Sequence, residues 1–169
     1  MTSSWGALLI VAATIGGVDV AYFHVYRFRL AARAASRGET LAHVAQGLTF
    51  AALAAGALGW CGRGATLAAF AAHFASIATD VVLERRSRAA WGGVPAGEVA
   101  LHVVGAATTA GAFVAFVAGT PVLATSAARL LLVGAAVGAA AIAAAELAWL
   151  ARVARRDFQI TSDTQGAQA

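Results

Sequence analysis

At 169 residues, with 60% apolar and only 12% charged side chains, the chain lies outside the range of soluble domains and inside the membrane class. Every basic residue is arginine and the pI is near 10.6. The arginines occupy short segments between apolar runs, which makes the positive balance a topology signal and not a nucleic-acid footprint. A single cysteine, Cys61, excludes an internal disulfide framework and reads as inert.

The first apolar stretch, about Trp5 to Tyr26, is long enough to cross a bilayer. It lacks a basic leader and a clear cleavage site, so it reads as a retained helix and not a signal peptide. Within it only Thr14, Asp19, Tyr22, His24 and Tyr26 are polar; the two tyrosines suit interfacial anchors. A loop with Arg27, Arg29, Arg33 and Arg37 follows. Ser36 and Glu39 have the spacing of a capping box that opens helix two, expected to reach about Trp60. On that helix Glu39, His43 and Gln46 recur at i, i+4 and i+7, a polar stripe on an apolar rod.

The short turn Cys61-Gly62-Arg63-Gly64 makes helices two and three antiparallel neighbours. Helix three is expected from about Ala65 to Glu84, with His73, Ser76, Asp80 and Glu84 on one face. Arg85, Arg86 and Arg88 come next, and Gly92-Gly93-Val94-Pro95 breaks the chain. Helix four, about Ala96 to Ala118, carries Glu98, His102, Gly105 and Thr109 along one stripe and ends at Gly119-Thr120-Pro121. Helix five begins between Val122 and Arg129 and ends near Arg152, with Glu146 as its acid. Its Gly134-x-x-x-Gly138 and many alanines suit close helix approach.

The expected fold is therefore all-α: one transmembrane domain over residues 1–157, built as a four-helix core plus a C-terminal fifth helix. Residues 158–169 read as a polar, disordered tail. Ten arginines fall on one side of this topology and two, Arg63 and Arg129, on the other. The positive-inside rule then places the N-terminus outside and the C-terminus in the cytoplasm of a multi-pass inner-membrane protein. Trp5 and Trp60 would mark the outer boundary, Trp91 and Trp149 the inner.

At 1.5 Å per residue, Asp19, His24, His43, Asp80, His102 and Glu146 fall within roughly 15 Å of the cytoplasmic boundary, and Glu39, Glu84 and Glu98 lie at it. Charges at that depth are costly and mark function. Carboxylates and imidazoles from several helices of a bundle are the donor set of dinuclear iron or manganese centres; with no thiolate among them they suit iron, manganese or zinc. The expected ligands are His24, Glu39, His43, Asp80, Glu84, Glu98 and His102, holding two ions, with iron first. Asp19 and Glu146 are placed behind them. Five residues of α-helix separate Asp19 and His24 by about 140°, so the two are not expected to face one point. The acid-to-histidine spacing is Glu-x-x-x-His and not the Glu-x-x-His of the soluble di-iron bundles, so the chemistry is borrowed and the fold family is not.

Plainer readings stand beside each residue. Glu39 suits a cap, Glu98 the dipole of the helix it opens, and Glu84 an ion pair with Arg88. His73, roughly 10 Å deeper, suits a core histidine. For the whole protein the leading expectation is a metal-dependent oxidoreductase opening to the cytoplasm and acting on a lipid-like substrate, served by a redox partner. A b-haem electron-transfer subunit, a metal or proton transporter and a structural membrane protein are the alternatives. Assembly as a homo-oligomer is left open.

Overall fold

The computed structural model describes residues 5–30, 34–119 and 125–166. It is all-helical, with no strand among the described residues, and holds five helices long and apolar enough to cross a membrane. These are α1 (Trp5–Asp19, continued by a π-helical segment Val20–Arg27), α2 (Arg37–Ala57), α3 (Arg63–Ser87), α4 (Ala96–Val117) and α5 (Ser126–Gly166). The expected boundaries hold within a few residues except at the end of α5. That helix runs fourteen residues past Arg152, to Gly166. The polar stretch after Asp157 lacks proline, and its first glycine is Gly166, so polarity alone does not stop the helix. Arg33, Thr120, Pro121 and residues 167–169 lie outside the described residues.

α2 packs along both α3 and α5, and α1 packs along α4 and against part of α5. The α2–α3 turn gives the antiparallel pair expected from its length. The α3–α4 connection reverses at Gly92 (φ 83°) and Gly93 (φ 110°), a left-handed pair that side chains bearing a Cβ resist. Close approach of α5 does come from its alanines, but the glycine that permits it is on α2. A Cβ built on Gly47 would lie 2.8 Å from the Ala139 carbonyl oxygen and 3.1 Å from the Ala143 methyl, whereas Gly134 and Gly138 meet nothing within 4 Å. The glycine pair on α5 therefore faces open space.

One end of the bundle is a hydrocarbon core of Trp5, Leu9, Leu53, Phe70, Ala112 and Leu132, all buried. Trp5 packs edge-on against Phe116 at 5.1 Å and against Phe70 at 6.2 Å, so it belongs to this core and not to an interfacial belt. Trp60 and Trp91 are exposed, as belt residues would be. At the same end Arg63 donates to the Val117 carbonyl and Arg129 to that of Leu58, closing carbonyls left free where α4 and α2 stop. The opposite end of the bundle carries the acids and the clustered histidines.

Candidate metal centre

The centre is assembled from all five helices. On α1 the backbone widens after Asp19 into i→i+5 hydrogen bonding, seen at its end where the Phe28 N–H reaches the Phe23 carbonyl at 2.9 Å. In such a segment residues five apart stack on one face, and not 140° apart as in an α-helix. Asp19 and His24 therefore do meet a common point, contrary to the expectation from α-helical spacing: His24 Nε2 lies 3.4 Å from Asp19 Oδ2. Asp19 also contacts His102 Nε2 at 3.0 Å, which brings it among the candidate ligands.

α2 contributes Glu39, His43 and Gln46, and its stripe points inward as the spacing predicts. The capping box does not form, since Ser36 makes no side-chain cap hydrogen bond and Glu39 turns into the bundle. Ser87 donates to Glu39 Oε2, and Arg88 donates to the same oxygen from Nη1 at 3.0 Å. His43 lies between two acids, with Nε2 3.1 Å from Asp80 and Nδ1 3.5 Å from Glu146. Gln46 donates to the other Asp80 oxygen at 3.0 Å and orients that carboxylate.

The α3–α4 hairpin brings Asp80, Glu84, Glu98 and His102 together as the i,i+4 pairs require. His102 Nδ1 is 3.2 Å from Glu84, and Glu98 is 3.3 Å from His24 Nε2. Glu146 reaches the cluster from α5 and is less deeply buried than the other acids. All seven expected ligands and both acids placed behind them thus enter one network. His73 stays outside it, with its Nδ1 2.8 Å from the Thr49 hydroxyl, as a core histidine.

Two features escape a reading by spacing. One is Arg88, assigned by sequence to a water-facing loop. It is 0% exposed and folds back under the cluster, with Nη2 2.5 Å from Glu98, 2.9 Å from Glu39 and 4.0 Å from Glu84. Burial works against its charge, but the hydrogen bonds and charges of Glu98 and Glu39 outweigh that and hold its pKa above the ordinary arginine value. Its position four after Glu84, one residue past the helix end, was the available signal. Glu98 accordingly has more than a helix dipole for a partner, and Glu84 has His102 as well as Arg88. The second feature is the pairing of His24 with His43, whose rings stack at 4.2 Å with their Nδ1 atoms 3.2 Å apart.

Two sets of donor atoms are close enough to hold an ion: Asp19, His24 and His102, and His24, Glu39 and His43, with His24 common to both. Asp19 Oδ1 and Glu146 Oε2 are buried without a hydrogen-bond donor among the described residues, a state that costs roughly 1–3 kcal/mol each unless a cation or water is supplied. In all, six carboxylates enter the network, and the guanidinium of Arg88 contacts three of them, Glu39, Glu84 and Glu98. With the imidazoles neutral, the six acids and Arg88 together carry a net five negative charges among the described contacts. Comparison of the chain with family models, curated proteins and solved structures finds no match, so the chemistry is argued from these residues.

Proposed function

We propose that the protein is a membrane-embedded metalloprotein whose His/carboxylate centre lies towards the cytoplasmic leaflet and binds two ions, iron before manganese or zinc. The observation that carries this reading is the convergence of five buried carboxylates, the half-buried Glu146 and three imidazoles, from five helices, into one network. Two divalent ions would bring about four positive charges to a site short of five, and oxygen and imidazole donors match such ions. Protonated imidazoles are the competing source of positive charge. The stacked Nδ1 atoms of His24 and His43, 3.2 Å apart, count against both rings being cationic. The same stacking counts against a haem held between these two rings.

The orientation rests on the arginines. With Arg88 withdrawn into the protein, nine remain for the cytoplasmic side against Arg63 and Arg129, which still favours an outside N-terminus in the inner membrane.

The chemistry such a centre supports is oxygen-dependent oxidation of a lipid-like substrate: hydroxylation or desaturation. In hydroxylation one atom of dioxygen enters a C–H bond and the other leaves as water, with two electrons and two protons supplied through a redox partner. The ions would supply dioxygen activation. The chain's own residues hold them and position the donors. Gln46 fixes Asp80, and Arg88 with Ser87 fixes Glu39 and Glu98. Asp19 and Glu146, each with one oxygen free, are the groups able to take and return protons. The test is oxygen uptake by iron-loaded protein in proteoliposomes with a chemical reductant, followed by mass spectrometry of the lipids. The reading predicts uptake together with lipids heavier by one oxygen or lighter by two hydrogens. Uptake equal to that of the metal-stripped protein, with unchanged lipids, would refute the enzymatic part.

A further inference from the structure

A cavity of about 460 Å³ leads from the centre towards the middle of the bundle. Asp19, His43, Asp80 and His102 form its polar end, and Ile10, Phe50, Leu101, Ala106, Ala135 and Ala139 are typical of the rest of its wall. Gln46 belongs to the polar end through Asp80, and the remaining polar groups on the wall, His73 and two threonines, are engaged within the protein: His73 Nδ1 lies 2.8 Å from the Thr49 hydroxyl. Thr14 donates to the Ile10 carbonyl at 2.9 Å and Thr109 to that of Gly105 at 3.0 Å, so their protons are spent on their own helices.

The side from which the cavity is reached follows from exposure. Of its lining residues, Thr14, Gly16 and Gly17 on α1 and Leu131, Gly138 and Ile142 on α5 are also open to the outside, as is Val81 on α3. Most of its exposed rim therefore lies on two helix faces that a bilayer would cover with acyl chains. The water-facing side is shut, since Arg88, Glu39 and Glu98 lie beneath the centre and are at most 1% exposed. The approach is then from the bilayer, whereas the sequence pointed to an opening towards the cytoplasm.

We propose that this cavity holds the hydrocarbon tail of a membrane lipid, entering laterally between α1 and α5 and ending beside His102, Asp19, His43 and Asp80. The inference deepens the reading of the centre and rests on it for the chemistry at the polar end. An apolar wall with one polar end suits a chain and not a charged or sugar-like ligand. At about 30 Å³ per water-sized group, the cavity has room for about fifteen heavy atoms of the tail. The glycines at the mouth leave the passage clear. A Cβ on Gly17 or Gly138 meets nothing within 4 Å, so a larger side chain there projects into open space.

The experiment uses the full chain in proteoliposomes containing a palmitic acid analogue with a mid-chain diazirine and a terminal alkyne. After illumination, labelled peptides are mapped and the metal content of the same sample is measured. Labelling is expected on cavity residues such as Ala106, Thr109 and Ala135, above that of the outward-facing Val103 and Leu130. Gly138→Leu and, independently, Gly17→Leu replace a helical glycine by a good helix former and should cut cavity labelling at least tenfold with outward labelling and metal content unchanged. Asp80→Ala should lose metal but keep cavity labelling, which separates failure of the tail site from failure of the metal reading. Cavity labelling no higher than outward labelling, or unaltered in both leucine variants, would overturn the proposal.

Discussion

The two ends of this bundle are held together by different physics. At one end Trp5, Leu9, Leu53 and Phe70 interlock, and their stabilisation depends on shape and contact. At the other, acids and imidazoles alternate so that His43 lies between Asp80 and Glu146, His102 between Asp19 and Glu84, and Arg88 between Glu39 and Glu98. An apolar core is the ordinary way to fill a bundle, and buried ion pairs replaced by apolar residues often leave stability unchanged or improved. The chain therefore carries in its ionic end a set of groups that packing does not require. That difference is the physical argument for a function located there.

The contrast can be broken most sharply at the donors. Asp80→Ala or His102→Ala should abolish metal binding, while Asp163→Ala leaves metal content at the wild-type level, as read by elemental analysis. Next in size, Arg88→Ala leaves Glu39 and Glu98 buried without a counter-charge, and a loss of about 3–5 kcal/mol is expected in the metal-free protein by chemical unfolding in detergent. Phe70→Ala in the hydrocarbon end should cost a similar amount, about 3–5 kcal/mol, through a cavity. Its metal content per folded chain should nevertheless be unchanged, which is where the two ends part company.

Smaller effects sharpen the boundary between them. Gln46→Ala frees the Asp80 carboxylate without removing a donor atom, so metal affinity should fall about 10–100-fold in chelator competition while the number of ions bound at saturation stays the same. His73→Phe removes the contact with Thr49, lies outside the network, and should cost about 1 kcal/mol in unfolding with no change in metal affinity.

Much of this was legible before any coordinates. The five helices follow from runs of apolar residues, and the inward faces of α3 and α4 follow from the four-residue spacing of Asp80 with Glu84 and of Glu98 with His102. Both periodicities are properties of a regular helix, so spacing alone carries them. Where the helix is irregular, spacing fails. Asp19 was set apart from His24 because α-helical geometry puts them 140° apart, and no residue in VAYFHVYR announces the wider turn that unites them. Arg88 was misplaced for another reason. Arginine after a helix end normally points to water, and only Glu39 and Glu98, supplied by other helices and joining Glu84 one turn back, make a buried position tolerable. Trp5 and the glycines of α5 were misread likewise, since which face of a helix meets a neighbour depends on partners far away in sequence.

The central claim is that the ionic end exists to hold metal, and the direct measurement is elemental analysis with a visible spectrum on protein purified in mild detergent without a metal-affinity tag. The account predicts close to two ions per chain, iron foremost, and no Soret band. Protein that stays metal-free after anaerobic reconstitution with iron, manganese and zinc, while remaining folded, would contradict it.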